Sequence, residues 1–451
     1  MTSLREAIAC YHELLDDTVA RESQEQLDDQ QRRRGLFFGN RPLCTVLRPR
    51  FFTHEQYRFL CDAMRGVLRA FRKVHRAALA DARVRTQLML APWEEELALL
   101  DLGMPDPSPT SRVDSFFLPD SGVLQLVEYN AETPAAPAYN DALSEVFYTL
   151  PVMPKFERRY DVRPLPGRHH VAHALLEAYR RWGGHDRPRV AILDWREVPT
   201  YSEFLLFQEH FRAQGYECVI ADPREVDYQD SKLYAAGFHI TLVYKRVLLS
   251  ELVGRCGLDS PIIRAVRERA ACMVNPFGAK VLHKKASLAV LSDERNAELF
   301  DAEDRHAIAA HVPWTRRMEE RHTLDPEGRP ADLVPFVLKR KDELVLKPND
   351  EYGGKGVVLG WNTDSSAWGA AVRAALDEPW VVQQRVQVPT EPFPSLSDGS
   401  LRITDRLLDT APFICHGDYV SGCLTRISTD PLLNVTAGGG STVPTFVIEA
   451  R

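Results

Sequence analysis

The sequence contains few cysteines for its length and no long apolar run. The eight cysteines among 451 residues form no Cys-x-x-Cys pair, so neither a zinc site nor a disulfide framework is indicated. No segment approaches the roughly 18 apolar residues of a membrane span, and residues 1–10 lack the apolar core of a secretory signal. We therefore expect reduced thiols, a cytoplasmic location and no membrane contact.

The sequence also has no surplus of basic residues. The net charge of -7 argues against nucleic acid as a partner. A hydrophobic content of 44% and a charged content of 26% are typical of a globular protein, and the length suits two or three domains. Composition alone therefore does not identify the function of the protein.

Residues 111–130 predict a β-hairpin. Two apolar runs flank residues 120–122, which suit a three-residue loop with Gly122 in the left-handed position. Pro119 then faces Val123, and counting back along both strands places Asp114 opposite Glu128 and Arg112 opposite Asn130. Because side chains alternate between faces, these four polar groups share one face. Toward the turn the same face continues with four residues expected in the core: Phe116, Leu118, Leu124 and Leu126.

The polar end of this hairpin predicts a metal site. Two carboxylates held opposite each other repel, so something positive should lie between them. An Asp, a Glu and an Asn amide oxygen are hard donors that suit Mg²⁺. We therefore predict Asp114, Glu128 and Asn130 as magnesium ligands, with Arg112 beside the ion. The alternative is an exposed hairpin whose charges point into solvent, which composition favours for a lone Asp–Glu pair.

A second motif lies in residues 344–360. A strand ends in Lys347, a turn containing Gly353, Gly354 and Gly356 follows, and a second strand returns. Glycines let backbone N–H groups approach phosphate oxygens, and the lysine supplies a point charge. The motif is not a Walker loop, because a glycine follows Gly-Lys and a strand comes next. It predicts a phosphate-binding loop, although alone it also fits a flexible hairpin.

The rest of the chain predicts helices followed by an α/β unit. Residues 3–34 have a helical pattern, and Thr53 opens a capping box for a helix that reaches about Leu79. Residues 189–194, 200–214 and 216–222 read as strand, helix and strand, with residues 238–249 continuing the sheet. Because Gly-x-Gly-x-x-Gly does not follow the first strand, we do not expect a dinucleotide site.

Arg112-Val-Asp114 followed by Glu128-Tyr-Asn130 resembles the metal-binding hairpin of the ATP-grasp ligases. In that family the hairpin normally closes the domain, whereas here it precedes everything else that resembles the family. This order is that of the circularly permuted branch, which includes glutathionylspermidine synthetase and the eukaryotic-type glutathione synthetase. Joining residue 440 to residue 112 would restore the usual order.

The resemblance implies roles for further residues. Asp114, Glu128 and Asn130 would hold the magnesium ions of MgATP, and Arg112 would stabilise charge during catalysis. Lys285 and Lys347 would contact nucleotide phosphates, and residues 379–386 would form the hinge that binds adenine, through Gln383, Gln384 and Val386. The family commonly has a Glu where Gln383 stands, which favours a backbone contact there. Arg426 and Asn434 are candidate contacts to phosphate or substrate; the alternative is a glycine-rich turn with a structural arginine.

The resemblance implies an α+β, circularly permuted ATP-grasp fold in four parts. These are an N-terminal helical region (1–102), the metal-binding hairpin part (103–165), an α/β domain like the one preceding the ATP-binding portion (166–272), and the ATP-binding part (273–451). The implied activity is ATP- and Mg²⁺-dependent ligation of an amino acid or peptide-like acid to an amine through an acyl phosphate. A phosphotransferase or a non-catalytic ATP-binding protein on the same fold is the alternative. The motifs identify neither the substrates nor a protein partner.

Overall fold

The N-terminal region is helical, as its pattern predicts. The structure, a computed structural model, describes residues 3–430 and 440–451. Residues 3–34 form two helices, each capped by a side-chain oxygen, from Ser3 and from Asp16. The Thr53 capping box is present and begins the helix His54–Ala80, whose predicted core residues are all buried: Leu60, Met64, Leu68 and Phe71.

The helices occur throughout the described residues. Their bounds are Leu4–Glu13, Asp17–Arg34, His54–Ala80, Ala82–Gln87, Pro92–Ala98, Pro137–Thr149, Met153–Phe156, Arg168–Trp182, Tyr201–Ala213, Leu249–Cys256, Pro261–Arg267, Ala279–His283, Ala286–Ser292, Ala302–His311, Leu333–Lys339 and Ser365–Asp377. None of these helices combines the length and the apolar character needed to cross a membrane. All eight cysteines are free thiols.

The largest sheet brings together distant parts of the chain. Six of its strands lie side by side in the order Thr390–Ser397, Ser400–Leu408, Tyr419–Ser428, Ala411–Cys415, Thr110–Leu118 and Val123–Asn130. A further strand, Ser441–Ala450, pairs with Tyr419–Ser428, Arg50–Thr53 and Tyr160–Pro164. We call this the central sheet. The N-terminal region thus contributes a strand to it as well as helices.

The hairpin of Thr110–Leu118 and Val123–Asn130, here the metal hairpin, has the predicted register at its polar end. Asp114 lies opposite Glu128 and Arg112 opposite Asn130. Near the turn the prediction is wrong by one residue, because Leu118 rather than Pro119 pairs with Val123. A β-bulge at Val127 absorbs the extra residue. Gly122 has the predicted left-handed conformation, with φ of 67°.

The bulge also changes which residues belong to the core. Beyond it, Leu124 and Leu126 lie on the face opposite to Glu128, where they pack with Phe117 against the helix His54–Ala80. Phe117 is 2% exposed. The predicted core residues Phe116 and Leu118 are instead only half-buried, because they share a face with Asp114. The regular hairpin assumed from the sequence therefore placed Leu124 and Leu126 on the wrong face, whereas Phe116 and Leu118 lie on the predicted face but outside the core.

The predicted α/β unit is present. Val190–Leu193 and Cys218–Ala221 are parallel neighbours joined by the helix Tyr201–Ala213, in a four-stranded sheet completed by Leu242–Lys245 and Cys272–Val274. Residues 238–249 do not continue this sheet as one strand, which corrects the prediction. Phe238–Ile240 instead belongs to a separate antiparallel sheet with Val226–Gln229 and Lys232–Ala235, because Thr241 interrupts the run between two short strands.

The second motif forms part of another antiparallel sheet, here the hinge sheet. Its strands lie in the order Thr315–Arg317, Trp380–Gln384, Leu344–Pro348 and Val358–Leu359. The strand that ends near Lys347 and the strand that carries Gln383 and Gln384 are therefore direct neighbours. Two pairs of short strands form separate small sheets among the described residues: Phe37–Phe38 with Arg41–Pro42, and His322–Leu324 with Pro330–Asp332.

Replacing each phenylalanine of the metal hairpin by alanine tests the bulged register. Phe117→Ala should lower the free energy of unfolding by about 3–5 kcal/mol, as for other large core truncations. Phe116→Ala should lower it by much less, because Phe116 is only half-buried. Chemical denaturation of both variants measures this difference. A larger loss from Phe116→Ala would support the regular hairpin instead.

Candidate active site

The metal hairpin and the hinge sheet face each other across a cavity of about 660 Å³. Its polar lining comes from both sheets and from segments between them: Asp114, Glu128, Lys285, Lys347, Glu351, Gln383, Gln384, Arg385, Gln387, Asp409 and Arg426. Its apolar lining is Phe116, Val127, Val345, Val357, Leu359, Trp361, Val386, Val388 and Leu407. One end of the cavity is therefore highly charged, while the rest offers apolar surface to a flat ligand.

At the charged end, basic side chains surround the two opposed carboxylates. Asp114 receives Arg112 Nε on Oδ1 at 2.8 Å and Arg426 Nη2 on Oδ2 at 2.7 Å. Glu128 Oε1 lies 3.0 Å from Lys285 Nζ. The repulsion expected between Asp114 and Glu128 is thus offset by protein cations that come from other parts of the chain.

These contacts keep both acids ionised. Burial alone would raise the pKa of Asp114, but Arg112 and Arg426 outweigh it and hold that pKa far below its usual range. Burial likewise opposes ionisation of Glu128, whose pKa is nevertheless lowered by Lys285 despite the nearby charge of Asp114. Both side chains are therefore anionic at neutral pH.

Lys347 connects the two sheets. Its Nζ donates to Gln383 Oε1 at 2.6 Å in the hinge sheet and to the carbonyl oxygen of Val127 at 3.1 Å in the metal hairpin. Gln383 is itself held by a hydrogen bond from its Nε2 to Thr315 Oγ1. Burial lowers the pKa of Lys347 to about 8, with Glu128 opposing the shift and Lys285 adding to it. Gln383 is neutral and brings no charge that would raise this pKa.

The glycine-rich segment 349–357, here the phosphate loop, is anchored at its first residues. Asn349 accepts the backbone N–H of Lys285 on its carbonyl oxygen and that of Ala286 on Oδ1, and it donates Nδ2 to the carbonyl oxygen of Leu88 at 2.8 Å. Lys285 Nζ returns a hydrogen bond to the carbonyl oxygen of Glu351. Gly353, Gly354 and Gly356 all have positive φ, between 65° and 74°, which accounts for glycine at these turn positions.

A different set of lysines holds the outer side of this loop. Lys280 Nζ lies 2.7 Å and Lys284 Nζ 3.1 Å from the carboxylate of Asp350, and both lysines also pair with Glu94 of the N-terminal region. Of the lysines in residues 280–285, Lys285 is therefore the one that lines the cavity. A second cavity, of about 630 Å³, lies on the other side of the loop beside Glu251, Tyr352 and Trp380.

The predicted hinge residues Gln383, Gln384 and Val386 all line the cavity. The backbone N–H groups of Gln384 and Arg385 donate to Trp314 and Glu343 within the fold. Among the described residues, the backbone N–H of Val386 has no such partner. Val386 is therefore the hinge position that can offer a backbone donor to a ligand.

The remaining predicted residues differ in their placement. Arg112 also donates Nη1 to the carbonyl oxygen of Ala135, which fixes it against the loop after the metal hairpin. Asn130 lies opposite Arg112, and its buried Nδ2 has no hydrogen-bond partner. Arg426 lines the cavity. Asn434 lies outside the described residues.

The acidic part of this site offers two carboxylates and an amide to a hard cation. Within residues 3–430 and 440–451 there is no group of three or more His, Cys, Asp or Glu side chains suited to hold a metal. Asp114 and Glu128 supply the two carboxylates, and Asn130, on the same face of the hairpin, could supply an amide oxygen. Two carboxylates and an amide oxygen, completed by ligand phosphates, fit Mg²⁺ in type and number.

Two residues of the site were missed by sequence reasoning. Asp409, which is 1% exposed, accepts two hydrogen bonds from Arg426. Asn349 ties Lys285 to the phosphate loop, as described above. Asp409 stands between two strands with no spacing pattern that marks it. Asn349 follows directly after the Lys347-Pro348 pair, so its position beside a recognised motif was the only available signal.

Comparisons with known proteins agree with this fold. No protein-family model matches the chain. A Frankia casuarinae protein provisionally named glutamate–cysteine ligase 2-2 is 24% identical over 346 residues, which are 71% of this chain and 36% of that protein. An uncharacterised protein of Mycobacterium tuberculosis is 33% identical over 124 residues, 26% of this chain and 22% of that protein. The chain thus spans about a third or less of the length of these two relatives.

A solved structure matches nearly the whole chain. It is a glutathione synthetase-like effector of Globodera pallida, with a TM-score of 0.62, 12% identity, and coverage of 96% of this chain and 98% of that one. The chain therefore shares the fold of this glutathione synthetase-like protein, which agrees with the resemblance that the motifs predict. The chain has a mixed α+β fold of this kind.

The lowered pKa of Lys347 predicts a pH dependence of nucleotide binding. The lysine is a cation below pH 8 and loses its charge above it, so affinity for a non-hydrolysable ATP analogue should fall by up to about tenfold per pH unit above 8. Calorimetric titration across this range measures the effect.

Lys347→Arg is the matched variant, because a guanidinium keeps its charge at all these pH values. Its affinity should stay level across the range in which the affinity of the wild type falls. Parallel pH profiles for both proteins would show that Lys347 is not the titrating group.

Proposed function

We propose that this protein is an ATP-dependent, Mg²⁺-dependent carboxylate–amine ligase that acts through an acyl phosphate. The observation that carries the proposal is the opposition of Asp114 and Glu128 at the charged end of a nucleotide-sized cavity, with Arg112, Arg426 and Lys285 around them. The Frankia casuarinae relative, which has the longer match, is named as a ligase. This name supports the same class of reaction. ATP and Mg²⁺ are the proposed cofactors, and a small or peptide-like acid and an amine are the proposed substrates.

In the proposed binding mode, adenine lies against the apolar lining and meets the backbone at Val386, with Gln383 and Gln384 beside it. The phosphates extend toward Lys347, Lys285 and the glycines of the phosphate loop. Asp114, Glu128 and Asn130 would hold Mg²⁺, which when bound neutralises phosphate charge and orients the transferring group. The lysines lower the repulsion between phosphate oxygens and the incoming carboxylate.

The proposed reaction has two steps. A carboxylate oxygen of the acid attacks the γ-phosphorus, and the bond to ADP breaks. The amine nitrogen then attacks the acyl carbon, phosphate leaves, and the nitrogen loses a proton. Arg112 stabilises the negative oxygen that develops on the acyl carbon. The phosphate loop limits the access of water, which would otherwise hydrolyse the acyl phosphate.

We also propose the circularly permuted order of the fold. Two observations support it: Ala411–Cys415 is a direct neighbour of the first strand of the metal hairpin, with Phe413 opposite Arg112, and Tyr419–Ser428 follows on its other side. The C-terminal strands thus occupy the place next to the hairpin that they would have in an unpermuted chain. The segments 103–165 and 273–451 are in this proposal two parts of one ATP-grasp unit, with 166–272 beside it and 1–102 supporting the phosphate loop.

Removing one carboxylate should abolish the metal dependence of nucleotide binding. Asp114→Asn or Glu128→Gln should weaken Mg²⁺-supported binding of a non-hydrolysable ATP analogue by roughly 100-fold, since each removes a charged ligand of the ion. Calorimetry with and without Mg²⁺ measures this. Asp120→Asn, in the exposed loop of the same hairpin, is the matched control and should bind like the wild type. Undiminished Mg²⁺-supported binding in both site variants would refute the metal assignment.

Isotope transfer distinguishes ligation from phosphorylation of a hydroxyl group. An acid labelled with ¹⁸O in its carboxyl group should pass one labelled oxygen to the released phosphate, because the acyl–oxygen bond breaks in the second step. The labelled acid is identified beforehand by screening acid and amine pairs for phosphate release. ATP consumption that leaves the phosphate unlabelled, together with a phosphorylated product, would favour a phosphotransferase.

A further inference from the structure

Asp409 is a buried carboxylate of the cavity to which the proposed reaction assigns no role. It lies in the short connection between Ser400–Leu408 and Ala411–Cys415. Its Oδ1 accepts the backbone N–H of Arg426 at 2.6 Å, and its Oδ2 accepts Arg426 Nε at 2.5 Å. Its own backbone N–H donates to the carbonyl oxygen of Arg426 at 3.1 Å. Asp409 is therefore fixed to one partner by three hydrogen bonds.

Arg426 bridges Asp409 and the proposed magnesium ligand Asp114. Its Nη2 donates to Asp114 Oδ2 at 2.7 Å, while Arg112 donates Nε to Oδ1 at 2.8 Å and Nη2 to Oδ2 at 3.3 Å. Both oxygens of Asp114 are thus engaged by guanidinium groups. A divalent cation bound to this carboxylate would lie beside a like charge, so one of the two guanidinium groups must withdraw.

The two arginines differ in the partners that each would keep after leaving Asp114. Arg426 keeps a buried carboxylate partner, Asp409. Among the described residues, Arg112 has no second carboxylate and keeps only the carbonyl oxygen of Ala135. A buried cation without a counter-charge is strongly unfavourable. Withdrawal of Arg426 is therefore the less costly of the two movements.

We infer that Asp409 is a positioning residue that retains Arg426 when Mg²⁺ takes its place on Asp114, and that it thereby sets the Mg²⁺ affinity of the site. The inference rests on the proposed function, because it assumes that Asp114 binds the ion. In this inference Asp409 binds neither the ion nor the nucleotide, because both of its carboxylate oxygens accept hydrogen bonds from Arg426. Its effect passes through Arg426, which remains on the cavity wall with its charge balanced.

The test is the Mg²⁺ dependence of binding of a non-hydrolysable ATP analogue by the full chain, measured by calorimetry over a series of Mg²⁺ concentrations. In Asp409→Asn, Arg426 has Asp114 as its only carboxylate partner and competes more strongly with the ion. The half-saturating Mg²⁺ concentration should therefore rise roughly tenfold, a typical size for coupling between charged neighbours. Asp409→Glu keeps the charge and should bring the value back toward that of the wild type.

A double variant keeps the test valid if Asp409→Asn folds poorly. In an Arg426→Gln background, adding Asp409→Asn should change the half-saturating Mg²⁺ concentration by less than about twofold, because the residue through which Asp409 acts is gone. The matched control is Asp405→Asn, an exposed position on the strand Ser400–Leu408, which should behave like the wild type.

Three results would overturn the inference. The first is a half-saturating Mg²⁺ concentration in Asp409→Asn within twofold of the wild type. The second is a tenfold effect that persists in the Arg426→Gln background. The third is wild-type binding that does not depend on Mg²⁺, which would refute the proposed function as well and is thereby distinguishable from the first two.

Discussion

The site depends on one electrostatic constraint, which is that Asp114 and Glu128 are held opposite each other on neighbouring strands. Two such charges repel, and in a buried setting the repulsion is larger than in water. The fold offsets it with Arg112 and Arg426 on Asp114 and with Lys285 on Glu128. The position of each of these cations is in turn fixed by another group, which explains why the site needs contributions from so much of the chain.

Those contributions come from several distant parts of the chain. The metal hairpin carries the acids, the C-terminal strands of the same sheet carry Arg426, and the segment before the helix Ala286–Ser292 carries Lys285. The hinge sheet adds Lys347, which donates to the backbone of Val127 and so joins the two sheets directly. Residues 81–98 take part as well, since Leu88 and Glu94 hold the first residues of the phosphate loop and the lysines next to it. The N-terminal region thus contacts the phosphate loop and the neighbouring lysines directly.

The sequence was informative where local rules apply. Alternation of side chains across a hairpin was sufficient to pair Asp114 with Glu128, and the capping box at Thr53 marked the start of a helix. The register predicted near the turn was wrong, because no residue pattern around Val127 predicts a bulge. Long-range contacts could not be predicted from the sequence. No pattern connects Asp409 with Arg426 or Asn349 with Leu88, because these pairings arise only from tertiary packing.

The bulge at Val127 sets which side chains of the metal hairpin face the core and which face the cavity. Leu124, Leu126 and Glu128 are spaced two residues apart, so in a regular strand all three would share one face. The extra residue at Val127 instead puts the two leucines on the core side and Glu128 on the cavity side. The loop at residues 119–122 lies at the exposed end and has no such constraint. Insertions and engineered tags are therefore compatible with the tip of this hairpin, while the strand Val123–Asn130 must keep its two leucines and Glu128 on opposite faces for the protein to hold both a core and a charged cavity.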